Sequence, residues 1–588
     1  MTATMINLTI DQEPIQVPAG TTVLKAAEQL GIHIPRLCYH PNLSLEGACR
    51  VCVVQVEGFN HFLTACGQEV WEGMEIQTNS PQIRQARRDI IELLLDNHPM
   101  DCQTCDRDGQ CELQRQAYRL GIRERLFEGK RKHYPVDDSS ESVVRTPEKC
   151  ILCGRCVRVC EEVQGVHNLS QHGRGFETVV GPANLANMDD SACIMCGQCI
   201  NVCPTAAFLE KDHTERVWEA LSAPRGTKHV VVQPAPSIRA AIGECVGMPI
   251  GTPVTGKLVT ALRRLGFDAV FDTNFGADLT IIEEANEFLN RVKNGGPLPL
   301  ITSCSPGWVN FLEKFYPEMI PFTSTCKSPM SMLSTLMKTY YAEKKGLKPE
   351  EIYVVGIMPC VAKKFEASRP EHAMADGTPY TDAVLTTREL AWMIKSYGID
   401  FVNLPDGEFD RPLGISSGAA DIFGATGGVM EAALRTAAVK LTGEELGPLQ
   451  FDDVRGVTGL KEATIHIAGI DVNIAVSNGL TNAKTLLDLV KNSGKQYHLI
   501  EIMACPGGCV AGGGQPYPPQ DMDVLDPRLP VLRAQALYKI DSDKQLRRSH
   551  ENPAIEHLYQ EFLGEPNGEK AHHLLHTHYQ ARMPRGIR

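Results

Sequence analysis

Ile6, Leu8 and Ile10 alternate with polar residues near the start of the chain, the period-two pattern of a half-buried strand. Pro18-Ala-Gly20 reads as a turn. Val23, Ala27 and Leu30 then follow at helical spacing, with Gly31 as the stop. Residues 51–56 read as a further strand. Ile83, Ala86, Ile90 and Leu94 predict an amphipathic helix over 82–96 with those four on its buried face, delivering the chain to His98. Residues 130–145 are polar and read as a connector.

From about residue 228 the rhythm becomes strand, loop, helix. Residues 229–232 lead into Gln233-Pro-Ala-Pro-Ser237 and a helix; residues 269–271 lead into a loop, Asp272-Thr-Asn-Phe-Gly276, and another helix. Apolar runs at 298–302, 353–357 and 498–502 each end at a cysteine motif. Alternation of this kind predicts a mainly parallel sheet, whose ligands collect at the carboxyl ends of its strands. The last sixty residues read as helical and polar.

Composition sharpens this picture. The 588 residues exceed one core, and three or four domains are expected. A net charge of −13 argues against nucleic acid, and no apolar run reaches membrane-spanning length. The N-terminus lacks the continuous apolar core of an export signal, so a cytoplasmic location is expected. Of 21 cysteines, fifteen precede residue 204. Such clustering in a long chain points to metal rather than to a disulfide scaffold.

The strongest motif is Cys150-x2-Cys153-x2-Cys156-x3-Cys160, repeated as Cys193-x2-Cys196-x2-Cys199-x3-Cys203-Pro204. In this two-cluster ferredoxin spacing the fourth cysteine of each run serves the other cluster. Cys150, Cys153, Cys156 and Cys203 are therefore assigned to one [4Fe–4S] cluster, and Cys193, Cys196, Cys199 and Cys160 to a second. Cys38, Cys49, Cys52 and Cys66 suit a [2Fe–2S] site, although spacing alone leaves structural zinc open. His98-x3-Cys102-x2-Cys105-x5-Cys111 offers one imidazole and three thiolates, for which a zinc site of three cysteines and one histidine is the alternative.

The front 210 residues resemble the electron-input region shared by [FeFe]-hydrogenases and the large iron–sulfur subunit of respiratory NADH dehydrogenases. That resemblance implies a third accessory [4Fe–4S] cluster on His98, Cys102, Cys105 and Cys111. The back half carries Thr302-Ser-Cys-Ser-Pro-Gly-Trp308, Met358-Pro-Cys-Val-Ala-Lys-Lys-Phe-Glu366, and Glu501-Ile-Met-Ala-Cys-Pro-Gly-Gly-Cys509 followed by Gly512-Gly-Gly-Gln-Pro516. These resemble the three signatures of the [FeFe]-hydrogenase catalytic domain. The chain is most similar to the long form, in the catalytic subunit of NADP- or NAD-linked multimeric enzymes.

The resemblance implies reversible hydrogen oxidation at an H-cluster, a cubane bridged to a diiron unit with CO, cyanide and dithiolate-amine ligands. Cys360, Cys505 and Cys509 become cubane ligands, with Cys509 the bridge. Lys363 becomes the donor to an iron-bound cyanide, and Ala235, Pro236, Ser237, Ser328, Pro329, Met358 and Met503 the diiron pocket. Glu284, Glu287, Ser324 and Cys304 match the family's proton path; without the resemblance, two carboxylates three apart on a helix would read as a solvated face. The family signature has two adjacent cysteines, a proton relay and then a ligand. Here they are Cys304 and Ser305. Ungapped alignment makes Cys304 the relay, whereas the iron's preference for a soft thiolate favours Cys304 as ligand.

The implied architecture is multidomain α/β and α+β. Residues 1–80 form a β-grasp [2Fe–2S] ferredoxin-like domain, 81–130 a [4Fe–4S] domain with one histidine and three cysteine ligands, 140–212 a bacterial two-[4Fe–4S] ferredoxin domain, and 226–525 an α/β H-cluster domain with parallel sheets. Residues 526–588 form a helical segment like the family's small subunit. Implied partners are a flavin-containing NAD(P)-oxidising subunit, a small [2Fe–2S] subunit and possibly ferredoxin. The alternative is a hydrogenase-like electron-transfer or assembly protein without hydrogen chemistry. Gly512–Gly514 lacks P-loop spacing, and Phe423-Gly-Ala-Thr-Gly-Gly428 reads as a tight turn against the cluster. Cys245 and Cys326 read as buried hydrophobes. His572, His573, His576 and His578 read as a docked or exposed helix rather than a metal site.

Overall fold

The structure, a computed structural model, describes residues 4–583 except 128, 225, 444–454, 457, 468, 493 and 521. Strands Met5–Ile10, Glu13–Pro18, Val53–Val56, Leu63–Thr64 and Met74–Gln77 form a mixed five-stranded sheet. The alternation at Leu8 and Ile10 points both side chains into a core shared with Val23, Leu24 and Ala27 of helix Val23–Gln29. Helix Pro81–Asn97 follows, its first turn closed by Ser80, whose Oγ accepts from the Ile83 amide at 3.2 Å. Its buried face runs through Ile83, Arg87, Ile91 and Leu95. That face is rotated from the predicted one: Arg87 is drawn inward by the Val53 carbonyl, to which it donates at 2.8 Å, and Ile90 and Leu94 are only partly buried.

The connector is less irregular than its polarity predicts. Val143–Arg145 pairs antiparallel with Phe208–Glu210, sealing the doubled cysteine module. Within that module Leu152 and Met195 occupy the same left-handed conformation, φ +54° and +61°. The chain thus curls identically in both repeats and aims an amide at sulfur: Leu152 N at Cys150 Sγ, 3.4 Å, and Met195 N at Cys193 Sγ, 3.3 Å.

The back half holds two four-stranded sheets. One is wholly parallel: Ala269–Val270, His229–Pro234, Ile352–Met358, Ala383–Thr386. The other begins in parallel, Leu300–Ile301, Leu499–Met503 and Ile470–Asn478, but ends in an antiparallel hairpin to Leu460–Ile467. Helix Thr273–Asn294 serves both cores. Phe275, Leu279 and Ile282 pack beside the first sheet, Ala277, Ile281 and Phe288 beside the second. Two local expectations change. Asp272 caps that helix, accepting from the Asn274 amide at 3.1 Å, so Thr273–Gly276 is helix rather than loop. After Ser237 the predicted helix is replaced by 3-10 turns Pro236–Ile238 and Ile242–Val246, because Gly243, Gly247, Pro249, Gly251 and Pro253 interrupt any helix before Thr255–Leu265. The C-terminal helices dock through Ile555, Leu558, Leu574 and Leu575. Arg533 fixes them further by gripping Glu244 at 2.7–2.8 Å.

Candidate active site

Four strands end around one cavity of about 80 Å³. His229–Pro234 delivers Ala235, Pro236 and Ser237 to its wall; Leu300–Ile301 delivers Cys304 and Ser305; Ile352–Met358 delivers Met358 and Cys360; Leu499–Met503 delivers Met503, Cys505 and Cys509. Parallel strands place their carboxyl ends at one rim, which explains why motifs far apart in the chain converge. Pro329 and Phe423 complete apolar walls, and the latter's tight turn reaches φ +83° at Gly427. Ser237 Oγ is buried without a protein partner. An apolar-walled cavity lined by Cys360, Cys505 and Cys509, one lysine and an unpartnered hydroxyl fits an iron cofactor carrying small polar ligands.

Lys363 reaches this cavity with its ammonium already oriented. It donates to Ser328 Oγ at 2.7 Å, to both Glu366 oxygens at 3.0 and 2.9 Å, and to the Cys304 carbonyl at 3.4 Å. Ser328 thus positions the lysine rather than lining the cavity. Ser305 Oγ accepts from the Ala504 amide at 3.3 Å, beside Cys505. Cys304 lines the same cavity; burial pushes its thiol well above the ordinary thiol range, and the Glu284 carboxyl adds to the shift, ahead of Cys509.

Behind Cys304 lies a file of proton-carrying groups. Glu284 is fully buried, and burial first, then the Glu287 charge, pushes its pKa up to about 8. Ser324 lies against Glu284 and donates to Glu287 Oε2 at 2.9 Å. Glu287 is held by Arg291 at 2.6 Å, and these two retain 12% and 11% side-chain exposure. The row therefore runs from cavity wall to partly exposed surface and brings Cys304, Glu284, Ser324 and Glu287 together.

The other cysteines gather upstream. Cys38 and Cys49 exchange amide-to-sulfur contacts at 3.4 Å, and Cys52 sits against Cys66, giving two close pairs. Cys203 neighbours Cys150, Cys153 and Cys156, and Cys160 neighbours Cys193 and Cys199, so the fourth cysteines cross over. His98 is buried with Nδ1 unpartnered, and burial lowers its pKa to about 4, leaving a neutral imidazole. His98 and Cys105 both lie against Lys149. Among the described residues, no three of these upstream ligand atoms lie within 4.8 Å of one another. Cys111 neighbours Cys203, Cys156 neighbours Cys199, and Cys196 neighbours Cys505 on the cavity wall.

Three functional groups escaped the sequence reading. Glu366 holds Lys363, and its three-residue spacing was the available signal. Arg291 stands four residues after Glu287. Glu501, raised to about 7 by burial, accepts from Gly427 and Met430 amides at 2.6 and 2.7 Å, at the start of helix Gly428–Thr442. Nothing in its strand pattern marks that role.

Comparison with known proteins agrees with this geometry. Residues 228–513 match the family "Iron only hydrogenase large subunit, C-terminal domain", and residues 530–582 match "Iron hydrogenase small subunit". Residues 3–81 match a 2Fe-2S cluster binding domain, 87–125 an NADH-ubiquinone oxidoreductase-G iron–sulfur binding region, and 149–207 a 4Fe-4S dicluster domain. The chain is 49% identical to the NADP-reducing hydrogenase subunit HndD of Solidesulfovibrio fructosivorans, over 98% of this chain and 99% of that protein. The chain belongs to the [FeFe]-hydrogenase family. This hydrogenase also superposes on apo [FeFe]-hydrogenase HydA1 from Chlamydomonas reinhardtii, TM-score 0.57 and 45% identity, covering 63% of this chain and 99% of that one. Similarity to the plant protein NAR1 of Arabidopsis thaliana is lower, 34% over 63% of the hydrogenase. Among the described residues of the hydrogenase, no helix is long and apolar enough to cross a membrane.

Proposed function

We propose that this hydrogenase interconverts hydrogen with two protons and two electrons at the Cys360–Cys505–Cys509 cavity, as the cytoplasmic catalytic subunit of an NAD(P)-linked complex. The carrying observation is the junction of three features at one place: strand-end thiols, an oriented Lys363, and a buried carboxyl file ending at Cys304. Bound there, an H-cluster supplies the iron at which hydrogen forms or splits. Cys360, Cys505 and Cys509 would hold its cubane, and Cys509 is the cysteine the family resemblance assigns to both parts of the cofactor. Lys363 would offer its ammonium to an anionic cyanide of that cofactor, a charge-assisted bond. Met358, Met503, Ala235, Pro236 and Pro329 exclude water, and Ser237 offers its unpartnered hydroxyl.

The chain's own groups move the proton. Cys304 holds it at the cavity wall, Glu284 exchanges it with Cys304, and Ser324 passes it to Glu287 and the surface. A protonated Glu284 can donate, and its raised pKa keeps it protonated at neutrality. The nearness of the Glu284 carboxyl to the Cys304 thiol supports the relay role, against the soft-ligand preference drawn from sequence. Ser305, whose hydroxyl accepts from the amide next to Cys505, would then be the residue left to complete the ligand set with Cys360, Cys505 and Cys509.

Four accessory clusters would supply the electron route. Cys38, Cys49, Cys52 and Cys66 would hold one [2Fe–2S], His98, Cys102, Cys105 and Cys111 one [4Fe–4S], and the crossed ferredoxin sets two more. An assembly protein without hydrogen chemistry has no use for a buried relay behind a lysine-tipped pocket. Infrared spectroscopy of the matured hydrogenase tests the reading. Iron-bound CO and cyanide bands that respond to hydrogen are expected, and their absence after full maturation rejects it.

A further inference from the structure

Cys326 is not merely a buried hydrophobe, and His576 is not merely part of a docked helix. We propose that Glu287, Cys326 and His576 form a binding site for a soft divalent cation such as zinc, and that occupancy blocks the proton path. One ligand atom from each lies within 4.8 Å of the other two, which no other set of three among the described residues achieves. The donor set is one carboxylate, one thiolate and one imidazole. Three such ligands with a fourth position left to water are a familiar zinc arrangement.

The surroundings are built for a cation. Cys326 is completely buried, and its Sγ points to Glu287 Oε2 at 3.9 Å. His576 Nε2 meets Glu283 Oε2 at 3.1 Å, while Nδ1 meets the Thr325 hydroxyl at 2.8 Å. A carboxylate behind one ring nitrogen, with the other nitrogen facing a rotatable hydroxyl, is the outer arrangement that orients a histidine ligand. Glu283 is itself fixed by the Asn567 amide at 2.8 Å and by the Tyr559 hydroxyl. Three carboxyls, Glu283, Glu284 and Glu287, surround the thiol, and Arg291 is paired to Glu287. Displacement of the thiol proton by a metal relieves that crowding of negative charge. The partly exposed Glu287 supplies the way in.

The consequence follows from shared atoms. Glu287 Oε2, which accepts the Ser324 hydroxyl, is the oxygen facing Cys326. An ion held there competes with Ser324 and interrupts the file between Glu284 and the surface. Hydrogen turnover then slows at proton transfer while electron delivery is untouched. The blocking half of the proposal rests on the proton path assigned above; the site itself does not.

The test uses fully cluster-loaded hydrogenase titrated with Zn2+. Zinc-edge X-ray absorption should show one sulfur shell at about 2.3 Å with lighter neighbours at about 2.0–2.1 Å. Turnover should fall at least tenfold at saturation, with the solvent isotope effect rising and the diiron infrared bands unmoved. Cys326→Ala should lose the sulfur shell, and His576→Gln should weaken binding at least tenfold. Cys326→Ser guards against a packing defect, and each variant is scored against its own zinc-free rate. Zinc bound without sulfur, or retained equally in both variants, overturns the site. A sulfur-ligated zinc that leaves turnover unchanged overturns the blocking half and, with it, the assigned path.

Discussion

Glu284 is a carboxyl that keeps its proton at neutral pH. Burial, reinforced by Glu287, lifts it to about 8 from an ordinary value of 4.5. Hydrogen evolution should therefore decline as pH climbs past about 8, where Glu284 loses the proton it hands on. Glu284→Gln keeps the shape and removes the transferable proton. It should cut turnover at least ~100-fold with infrared bands unchanged; near-normal turnover would remove Glu284 from the path. The same shift has a sign for stability. The folded state binds the extra proton between 4.5 and about 8, so stability present below 4.5 is lost as pH rises through 8, and the glutamine variant should show a flatter melting profile over that window. At the neighbouring position, Cys304→Ala should keep the cubane's electron paramagnetic resonance signal and lose turnover. Ser305→Cys should keep cluster and activity, while Ser305→Ala should shift the cubane signal or potential. If Cys304→Ala instead loses the cubane, Cys304 is the ligand. The spacing of Glu284 and Glu287 was legible in the sequence, but their burial was not. It depends on helix Thr273–Asn294 being covered by both sheets, a relation no local pattern carries.

At the scale of elements, glycines set how closely the electron-input module approaches the cavity. A Cβ on Gly513 would stand 2.6 Å from the Cys196 carbonyl oxygen and 2.9 Å from Gly197 Cα, both backbone atoms that cannot swing aside. A Cβ on Gly512 would meet the Pro359 carbonyl at 2.2 Å. The Gly512–Gly514 run, unsuited to phosphate, is thus a contact surface between two cluster-bearing loops. Gly513→Ala must push the Cys193–Cys199 loop outward. Overpacking of this kind costs about 1–3 kcal/mol. Calorimetry should show a lower melting temperature, and electrons should cross more slowly from the ferredoxin module to the cavity in stopped-flow measurements. Unaltered transfer would mean that another contact sets the approach. Sequence reading placed the strands and the cysteines after them because strand periodicity is local. It missed the antiparallel hairpin Leu460–Ile467/Ile470–Asn478 and the turns at 236–246, where glycines and prolines outweigh the apolar content.

Across the whole molecule, two arginines one turn apart join the cluster modules. Arg158 donates to the Cys38 carbonyl at 2.7 Å and the Cys153 carbonyl at 3.2 Å. Arg155 grips Glu112, next to Cys111, at 2.7 and 3.1 Å and donates to the Tyr39 carbonyl at 3.0 Å. Both side chains are buried, and losing one member of such a pair costs about 3–5 kcal/mol. The first domain and the His98 module therefore both abut the ferredoxin module, giving two inputs that merge before Cys196 and Cys505. On the NAD(P)-linked reading proposed above, one of these inputs would face the partner that exchanges electrons with NAD(P)H. The purified chain should accordingly reduce an artificial dye with hydrogen but show no NAD(P)H oxidation, because dyes can exchange electrons with any exposed cluster and no nucleotide fingerprint is present. His98→Ala separates the roles further. It should change one accessory cluster's spectrum, lower turnover coupled to a flavin-containing partner at least ~10-fold, and leave dye-linked turnover and the infrared bands nearly intact. NAD(P)H oxidation by the chain alone would place the nucleotide site here rather than on a partner, and an unchanged accessory spectrum in His98→Ala would make that histidine a helix cap instead of a ligand.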